Sequence, residues 1–341
     1  MLGVGIIGCG GISRGHARGW IASNERARVV AVADVVEAAA QDRAAQVGGA
    51  KIYADYNELL QDPNVDAVDI CLPHHVHKDA AVAAANAGKH ILIEKPLCLD
   101  LNEAKEIEAA VEASGITLMC AHNQVFTESV QEIKPRIDDG LVGDVMWIHS
   151  ADCFITRPYV RVGSAIHASH AAGTWRSKRE LMGGGELIDT GYHPTYRLLY
   201  LAGSPAVTVS ALLTNHRLPQ LDGEDTAQVM VAFENGSTGQ ILSSWAMNLP
   251  SGYMIHVVGD RGVISAGSGR IEIKLNGMDS PSIKELQVPD TFAREIAHFI
   301  TCLENGEAPV QGLADGIATL RLIRGAYQSV AEQRIVALDT V

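Results

Sequence analysis

Leu2-Gly3-Val4-Gly5-Ile6-Ile7-Gly8-Cys9-Gly10-Gly11-Ile12-Ser13 opens the chain, and its reading decides the fold. The first six residues carry the apolar pattern of a strand buried on both faces. The rest is a G-x-G-x-x-S turn leading into a helix expected over roughly 12–23. Gly8 allows the tight turn, Gly10 and Gly11 keep the backbone open to a pyrophosphate, and the small Ser13 lets helix and strand pack closely. At Ile12 and Ser13 the helix N-terminus then turns its free N–H groups towards the phosphates. Glycine turns also occur for structural reasons alone. Strand, turn and helix in this order are the context a dinucleotide site requires.

The second strand, 29–33, ends in Asp34, which stands 21 positions after Ser13. That is near the ~20 expected of a carboxylate bonding the adenosine ribose hydroxyls. Its charge repels a 2′-phosphate, and Val35 and Val36 supply no arginine to bind one, so NAD is favoured over NADP. A helix-capping aspartate is the structural alternative. Helices at 37–47, 57–61, 78–87 and 101–113 alternate with strands at 52–53, 67–72, 91–93 and 117–120. This alternation predicts an α/β unit, a Rossmann-type doubly wound parallel sheet over residues 1–121. Pro73, His74, His75 and His77 follow the strand at 67–72. With no further ligands at matching spacing, they read as a loop over the cofactor rather than a metal site.

His90-Ile91-Leu92-Ile93-Glu94-Lys95-Pro96-Leu97 is the second telling stretch. Its apolar run is a buried strand, and it delivers Lys95 to the carboxyl end, where ligands bind in open α/β sheets. A surface ion pair between Glu94 and Lys95 fits the same residues.

The 341 residues suffice for two domains, and 47% hydrophobic with 20% charged residues is ordinary for a globular chain. A net charge of -13 leaves no basic excess for a phosphate backbone, which argues against nucleic acid. No apolar run is long enough for a bilayer, and no leader pattern precedes the first strand, so no membrane partner and a cytoplasmic location are expected. The six cysteines contain no C-x-x-C pair.

After residue 123 the pattern changes. A helix at 128–139 and a strand at 144–154 lead into an irregular, glycine-rich stretch that runs to Gly185. Strands then follow in succession at 207–214, 227–233, 238–245, 254–258, 263–265, 271–275 and 283–288, with a hairpin turn at Asn235-Gly236. Helices at 291–303 and 313–332 complete the chain. Residues 122–341 are thus expected to form an α+β domain with a large, mostly antiparallel open sheet. Such a sheet predicts a homodimer or homotetramer through its uncovered face. Chemistry concentrates in Gly183-Gly184-Gly185-Glu186-Leu187-Ile188-Asp189-Thr190-Gly191-Tyr192-His193. Asp189 and His193 are four apart, which puts them on one helix face. Pro194 allows the other reading, a helix that starts late with 189–193 as its approach. Either way an acid and a histidine lie near each other, a pairing that suits acid–base catalysis.

These motifs resemble the Gfo/Idh/MocA family, the glucose–fructose oxidoreductase and inositol dehydrogenase superfamily. The resemblance covers nearly the whole chain. It rests on the glycine turn, the 73–77 loop, Glu94-Lys95-Pro96, His122-Asn123, Gly140-Leu141-Val142-Gly143, Trp175-Arg176, the 183–193 block, Asp225, the 233–236 hairpin and the helix near Phe299. Cys71 departs from the family's common threonine, and Pro194 follows the catalytic-type histidine.

The resemblance implies an NAD-dependent oxidoreductase that moves hydride from a secondary hydroxyl of a sugar, glycoside or cyclic polyol. In it His193 is the acid/base and Lys95 holds the reacting oxygen. Asp189 binds a neighbouring hydroxyl or orients His193. Leu72, Pro73, His74, His77, Glu94, Lys95, Asn123, Trp175 and Arg176 join the glycine turn and Asp34 around the cofactor, and no metal is implied. His122, Arg157, His167, His170 and Arg176 line the sugar pocket. Two other readings exist on this scaffold: an enzyme that retains NAD and oxidises only transiently, and a non-catalytic nucleotide sensor. The sensor has no need of Lys95, Asp189 and His193.

Overall fold

The structure is a computed structural model. It describes residues 1–156, 160–162, 165–167, 174–250, 252–267 and 269–341, without the side chains of 160–162 and 165–167. The chain forms two compact units, Met1–Asn123 with Asp290–Ile317, and Gln124–Pro289 with Ala318–Val341.

The first unit alternates β1 (Leu2–Ile7), α1 (Ser13–Ala22), β2 (Ala27–Ala33), α2 (Glu37–Gln46), β3 (Lys51–Tyr53), α3 (Tyr56–Leu60), β4 (Ala67–Ile70), α4 (His77–Asn86), β5 (His90–Glu94), α5 (Leu101–Ser114) and β6 (Leu118–Ala121). The six strands make one parallel sheet in the order β3-β2-β1-β4-β5-β6. Strand order reverses between β1 and β4, the crevice where doubly wound sheets take their ligands. Val4, Ile6, Val68, Ile91, Leu92 and Ile93 are fully buried, as strands covered on both faces require.

The second unit opens on α6 (Glu128–Asp138) and β7 (Val145–Cys153). The stretch read as irregular holds a short hairpin, β8 (Val160–Val162) with β9 (Ala165–His167), a 3-10 turn at Trp175–Ser177 and α7 (Arg179–Met182). Elements of three or four residues are too short to show a period, which is why the sequence reads as loop there. Then come α8 (Glu186–Asp189), α9 (Tyr192–Ala202), β10 (Ala206–Thr214), β11 (Thr226–Phe233), β12 (Thr238–Ser244), β13 (Tyr253–Gly259), β14 (Gly262–Gly267), β15 (Arg270–Leu275) and β16 (Ser282–Glu285).

The chain closes with α10 (Thr291–Asn305), α11 (Leu313–Glu332) and β17 (Val336–Ala337). Nine strands form a sheet in the order β16-β15-β14-β13-β7-β12-β11-β10-β17, antiparallel apart from the β7–β12 pair. Ile148, Val229, Ile241 and Val257 are buried on one face, and Leu198 of α9 packs there over Gly239. The alternate residues Trp147, His149, Met230, Gln240, Leu242 and His256 face the other way and are half-buried or exposed.

Helix α10 belongs to the first unit, whereas a single boundary at 121/122 assigns it to the second. Its N-cap is Asp290, whose carboxylate accepts from Phe292 and Ala293 N–H. An added Cβ at Gly15 of α1 would stand 2.8 Å from the Phe292 ring, and one at Gly19 would stand 2.6 Å from Ile296. The two glycines therefore let α10 lie close against α1. Between those contacts Glu295 is fully buried, and burial pushes its carboxyl well above the usual range.

Folding thus keeps a proton on Glu295 that the unfolded chain gives up at its ordinary value. Stability is full below that value and is lost as pH rises towards the folded one. Glu295→Gln should therefore gain on the parent between pH 5 and pH 8, by about 1.4 kcal/mol per pH unit while the buried acid stays protonated. Denaturant midpoints at the two pH values measure it, and an unchanged gap rejects the neutral acid.

Candidate active site

In the first unit the site begins where β1 turns at Gly8. Its φ is +93°, and a Cβ there would lie 2.5 Å from the Cys71 carbonyl oxygen, so only glycine lets β1 turn beside the chain leaving β4. At Gly10 and Gly11 a Cβ would meet nothing within 4 Å, so the backbone is open where a pyrophosphate must approach. Ile12 leads into α1 with no side-chain cap; the Arg14 and Gly15 N–H groups turn back onto the Gly11 and Ile12 carbonyls, and the positive end of the helix dipole favours an anion there. Ser13 donates to the Gly10 carbonyl at 2.8 Å and accepts from the buried Arg43 Nε at 3.0 Å.

Asp34 is held from both sides. One oxygen accepts the Cys9 N–H at 2.7 Å and the other accepts the Val36 N–H at 2.8 Å. With Gly8, Gly10, Leu72 and Pro73 it lines a cleft of about 550 Å³. These residues fit a dinucleotide: an open glycine turn, an uncapped helix N-terminus and a braced carboxylate at the ribose position.

Lys95 is half-buried just past the carboxyl end of β5, and the bond to Pro96 is cis. Glu94 does not lie at the surface. It is buried, with Oε1 3.0 Å from His16 Nε2 and Oε2 accepting the Lys95 N–H at 3.0 Å. His77 is fully buried and braces two loops, with ring nitrogens 2.7 Å from the Pro96 carbonyl and 2.8 Å from that of Leu72. His74 is buried near it, with ring centroids 6.0 Å apart. His122 is also fully buried, its Nδ1 2.6 Å from Gln311 Oε1, and burial pushes it down to about 4, so it is neutral at pH 7. Asn123 donates to Thr291 Oγ1.

The second unit carries Asp189 and His193. The helix starts late: α8 ends at Asp189, Gly191 bridges, and α9 begins at Tyr192. Pro194 thus falls in the first turn of α9, where a missing N–H costs no intrahelical bond. The glycine run before it has a steric cause. A Cβ on Gly184 would stand 2.1 Å from Tyr327 Oη, and one on Gly185 would lie 2.4 Å from the Glu224 carbonyl oxygen. Asp189 is buried and accepts from Arg176 Nε at 2.9 Å, and the Arg176 guanidinium lies 4.2 Å over the Trp175 ring.

His193 Nδ1 is hydrogen bonded to the Tyr196 hydroxyl at 2.7 Å, and that hydroxyl also accepts the Gln124 N–H at 3.0 Å. Arg197, fully buried, ties α9 to β7 through Ser150 Oγ and the Ala151 carbonyl. The sequence reading did not single out Tyr196, though its place three residues after His193 on a helix is a signal. Nor did it single out His16, Asp69, Glu224 or Tyr327, whose partners are distant in the chain. Arg157 and His170 lie outside the described residues, as does the side chain of His167. No helix among the described residues is long and apolar enough to cross a membrane.

Two family models match this chain. One, described as "Oxidoreductase family, NAD-binding Rossmann fold", covers residues 2–122, and the other, "GFO/IDH/MocA C-terminal domain", covers residues 130–265. The scyllo-inositol 2-dehydrogenase (NAD(+)) of Bacillus subtilis (strain 168) is 27% identical over 98% of this chain and 95% of its own. The myo-inositol 2-dehydrogenase of Thermotoga maritima is 27% identical over 99% of each. Among solved structures, levoglucosan dehydrogenase in complex with NADH and levoglucosan superposes with a TM-score of 0.87 at 23% identity, covering 99% of each chain, a likeness of fold.

Removing the braced carboxylate should separate the two cofactors. Asp34→Ala is expected to weaken NAD binding about 10–100-fold, the worth of hydrogen bonds to a charged group. NADP binding should weaken less or improve, because no carboxylate then repels its 2′-phosphate. Calorimetric titration with both measures it, and an equal loss for the two rejects the role of Asp34.

Proposed function

The chain belongs to the GFO/IDH/MocA oxidoreductase family, and from that premise we propose that it is an NAD-dependent dehydrogenase acting on a secondary hydroxyl of a cyclic polyol or sugar. The observation that carries the reading is the glycine-turn cleft with Asp34 at its ribose position and Lys95 at the carboxyl end of the same sheet.

Bound NAD supplies the hydride-accepting ring. The protein's part is to hold the alcohol and move its proton. Lys95 binds the reacting oxygen and stabilises the alkoxide that develops on it. His193 takes the proton, with Tyr196 holding Nδ1 so that the opposite ring nitrogen does the exchange. Asp189, braced by Arg176, receives a neighbouring hydroxyl, and Trp175 and Arg176 border the cofactor or substrate. Arg157, His167 and His170 complete the sugar-facing set in this reading, and the enzyme works in the cytoplasm.

Self-association is part of the proposal. The face of the nine-stranded sheet with Trp147, Met230 and Leu242 carries apolar side chains that a second copy of the same face would bury. A homodimer or homotetramer is expected by light scattering, and Met230→Asp should shift it towards the monomer. A monomeric parent rejects this.

The reaction is tested by NADH formation against inositols, free sugars and glycosides. Lys95→Ala and His193→Ala should each lower kcat/KM about 10²–10⁴-fold, the range of acid–base and electrostatic contributions. NAD binding in His193→Ala should change little. Parent-level activity in either variant overturns the assignment of roles. No turnover, with NAD copurifying, turns the reading towards an enzyme that retains its cofactor.

A further inference from the structure

We infer that His16 is a positioning residue for Lys95: its buried ring clamps Glu94, and Glu94 holds the main chain that presents the lysine. The inference rests on the reading of Lys95 as the group that holds the reacting oxygen.

His16 lies on the inner face of α1, one turn beyond the phosphate-facing N-terminus, and is fully buried. Its Nδ1 is 3.0 Å from Asp69 Oδ2 on β4, and its Nε2 is 3.0 Å from Glu94 Oε1 on β5. With a carboxylate oxygen at hydrogen-bond distance from each ring nitrogen, the partner set is that of a ring donating from both sides. Only the imidazolium does that. Burial by itself drives the ring towards neutrality, but the charge and hydrogen bond of Asp69 reverse this and leave His16 well above its ordinary value. Phe292 of α10 covers the ring, with centroids 5.1 Å apart.

The groups around His16 are few. From α1, Trp20 Nε1 donates to Asp69 Oδ2 at 2.6 Å, and from the chain leaving β4, Cys71 Sγ lies 3.5 Å from Asp69 Oδ1. From α10, Glu295 adds an acid that burial keeps protonated. The oxygen of Glu94 not used by His16 accepts the Lys95 N–H. An unbroken series of hydrogen bonds therefore runs from α1 through His16 and Glu94 to the lysine's own backbone.

A buried charge network is a poor source of stability, because desolvation offsets most of the attraction and apolar side chains of equal volume do as well. It does confer a fixed geometry: once desolvated, neither partner can leave without stranding the other. Fixed geometry is what an electrostatic catalyst needs, since a 1 Å misplacement caused from a distance can cost about 10²-fold in rate.

The test compares the full-length parent with His16→Gln, Glu94→Gln and the double variant. Two readouts are used: kcat and KM for NADH formation, and the rate at which a small amine-reactive ester acylates Lys95, followed by peptide mass spectrometry. Each single variant should lower kcat about 10–100-fold and alter the acylation rate, and His16→Gln should leave NAD affinity within severalfold. The double variant should be no worse than the worse single, as for residues acting through one another. Parent-level kcat and acylation in His16→Gln, or losses that multiply in the double, overturn the clamp.

Should His16→Gln fail to fold, nitrogen NMR of the parent decides. The ring assigned through its Phe292 contact should carry protons on both nitrogens at pH 7, and a neutral ring there overturns the inference. If the parent oxidises no polyol or sugar, the dehydrogenase reading falls, while the labelling and NMR measurements still decide whether His16 holds Lys95.

Discussion

The close pass of Gly8 beside the Cys71 carbonyl is the constraint on which the first unit depends. At 2.5 Å no side chain fits, so the two strands that flank the switch point can part only with glycine there. Everything after it follows from that turn. Helix α1 starts without a side-chain cap, and Cys9 presents its own N–H to Asp34. The carboxylate is then held by main chain rather than by another side chain. An acid held this way loses little freedom when a ligand arrives, which is the physical content of preorganisation.

The second unit solves a similar problem differently. Its acid and its histidine come from a one-turn helix and the first turn of a longer one, neither of which holds position unaided. The three glycines before them let the backbone settle against Glu224 and Tyr327. Glu224 in turn accepts the Leu187 N–H and the Tyr327 hydroxyl. Trp245 donates to Thr190, and Tyr196 reaches back to His193. The short segment is therefore held by groups on two loops and two helices, which compensates for its lack of helical cooperativity.

The sheet orders separate the roles of the two units. A parallel sheet buried on both faces aims its carboxyl ends at a ligand. The mostly antiparallel sheet has one face beneath α9 and one face left half-buried, and the latter carries Trp147, His149 and His256 in a line of ring contacts from 5.7 to 5.8 Å. Burial pushes His149 down to about 4, so that line is uncharged at neutral pH and adds no charge repulsion to the face.

The sequence alone determined the features that repeat locally. The six strands and five helices of the first half, the glycine turn, the acid at Asp34, the delivery of Lys95 and the succession of strands after residue 206 all show as apolar period or turn chemistry within a few residues. The tertiary structure decided what depends on partners far apart in the chain. His16 meets Glu94 across 78 positions and Asp69 across 53, and no local pattern marks those pairs. The return of α10 to the first unit is of the same kind, since an amphipathic helix shows which face it buries but not against what. Asp189 and His193 fall between these cases. Their spacing was legible, but the late start of α9 and the hold of Tyr196 on His193 came from packing around Pro194 and the glycine run, where sterics outweigh propensity.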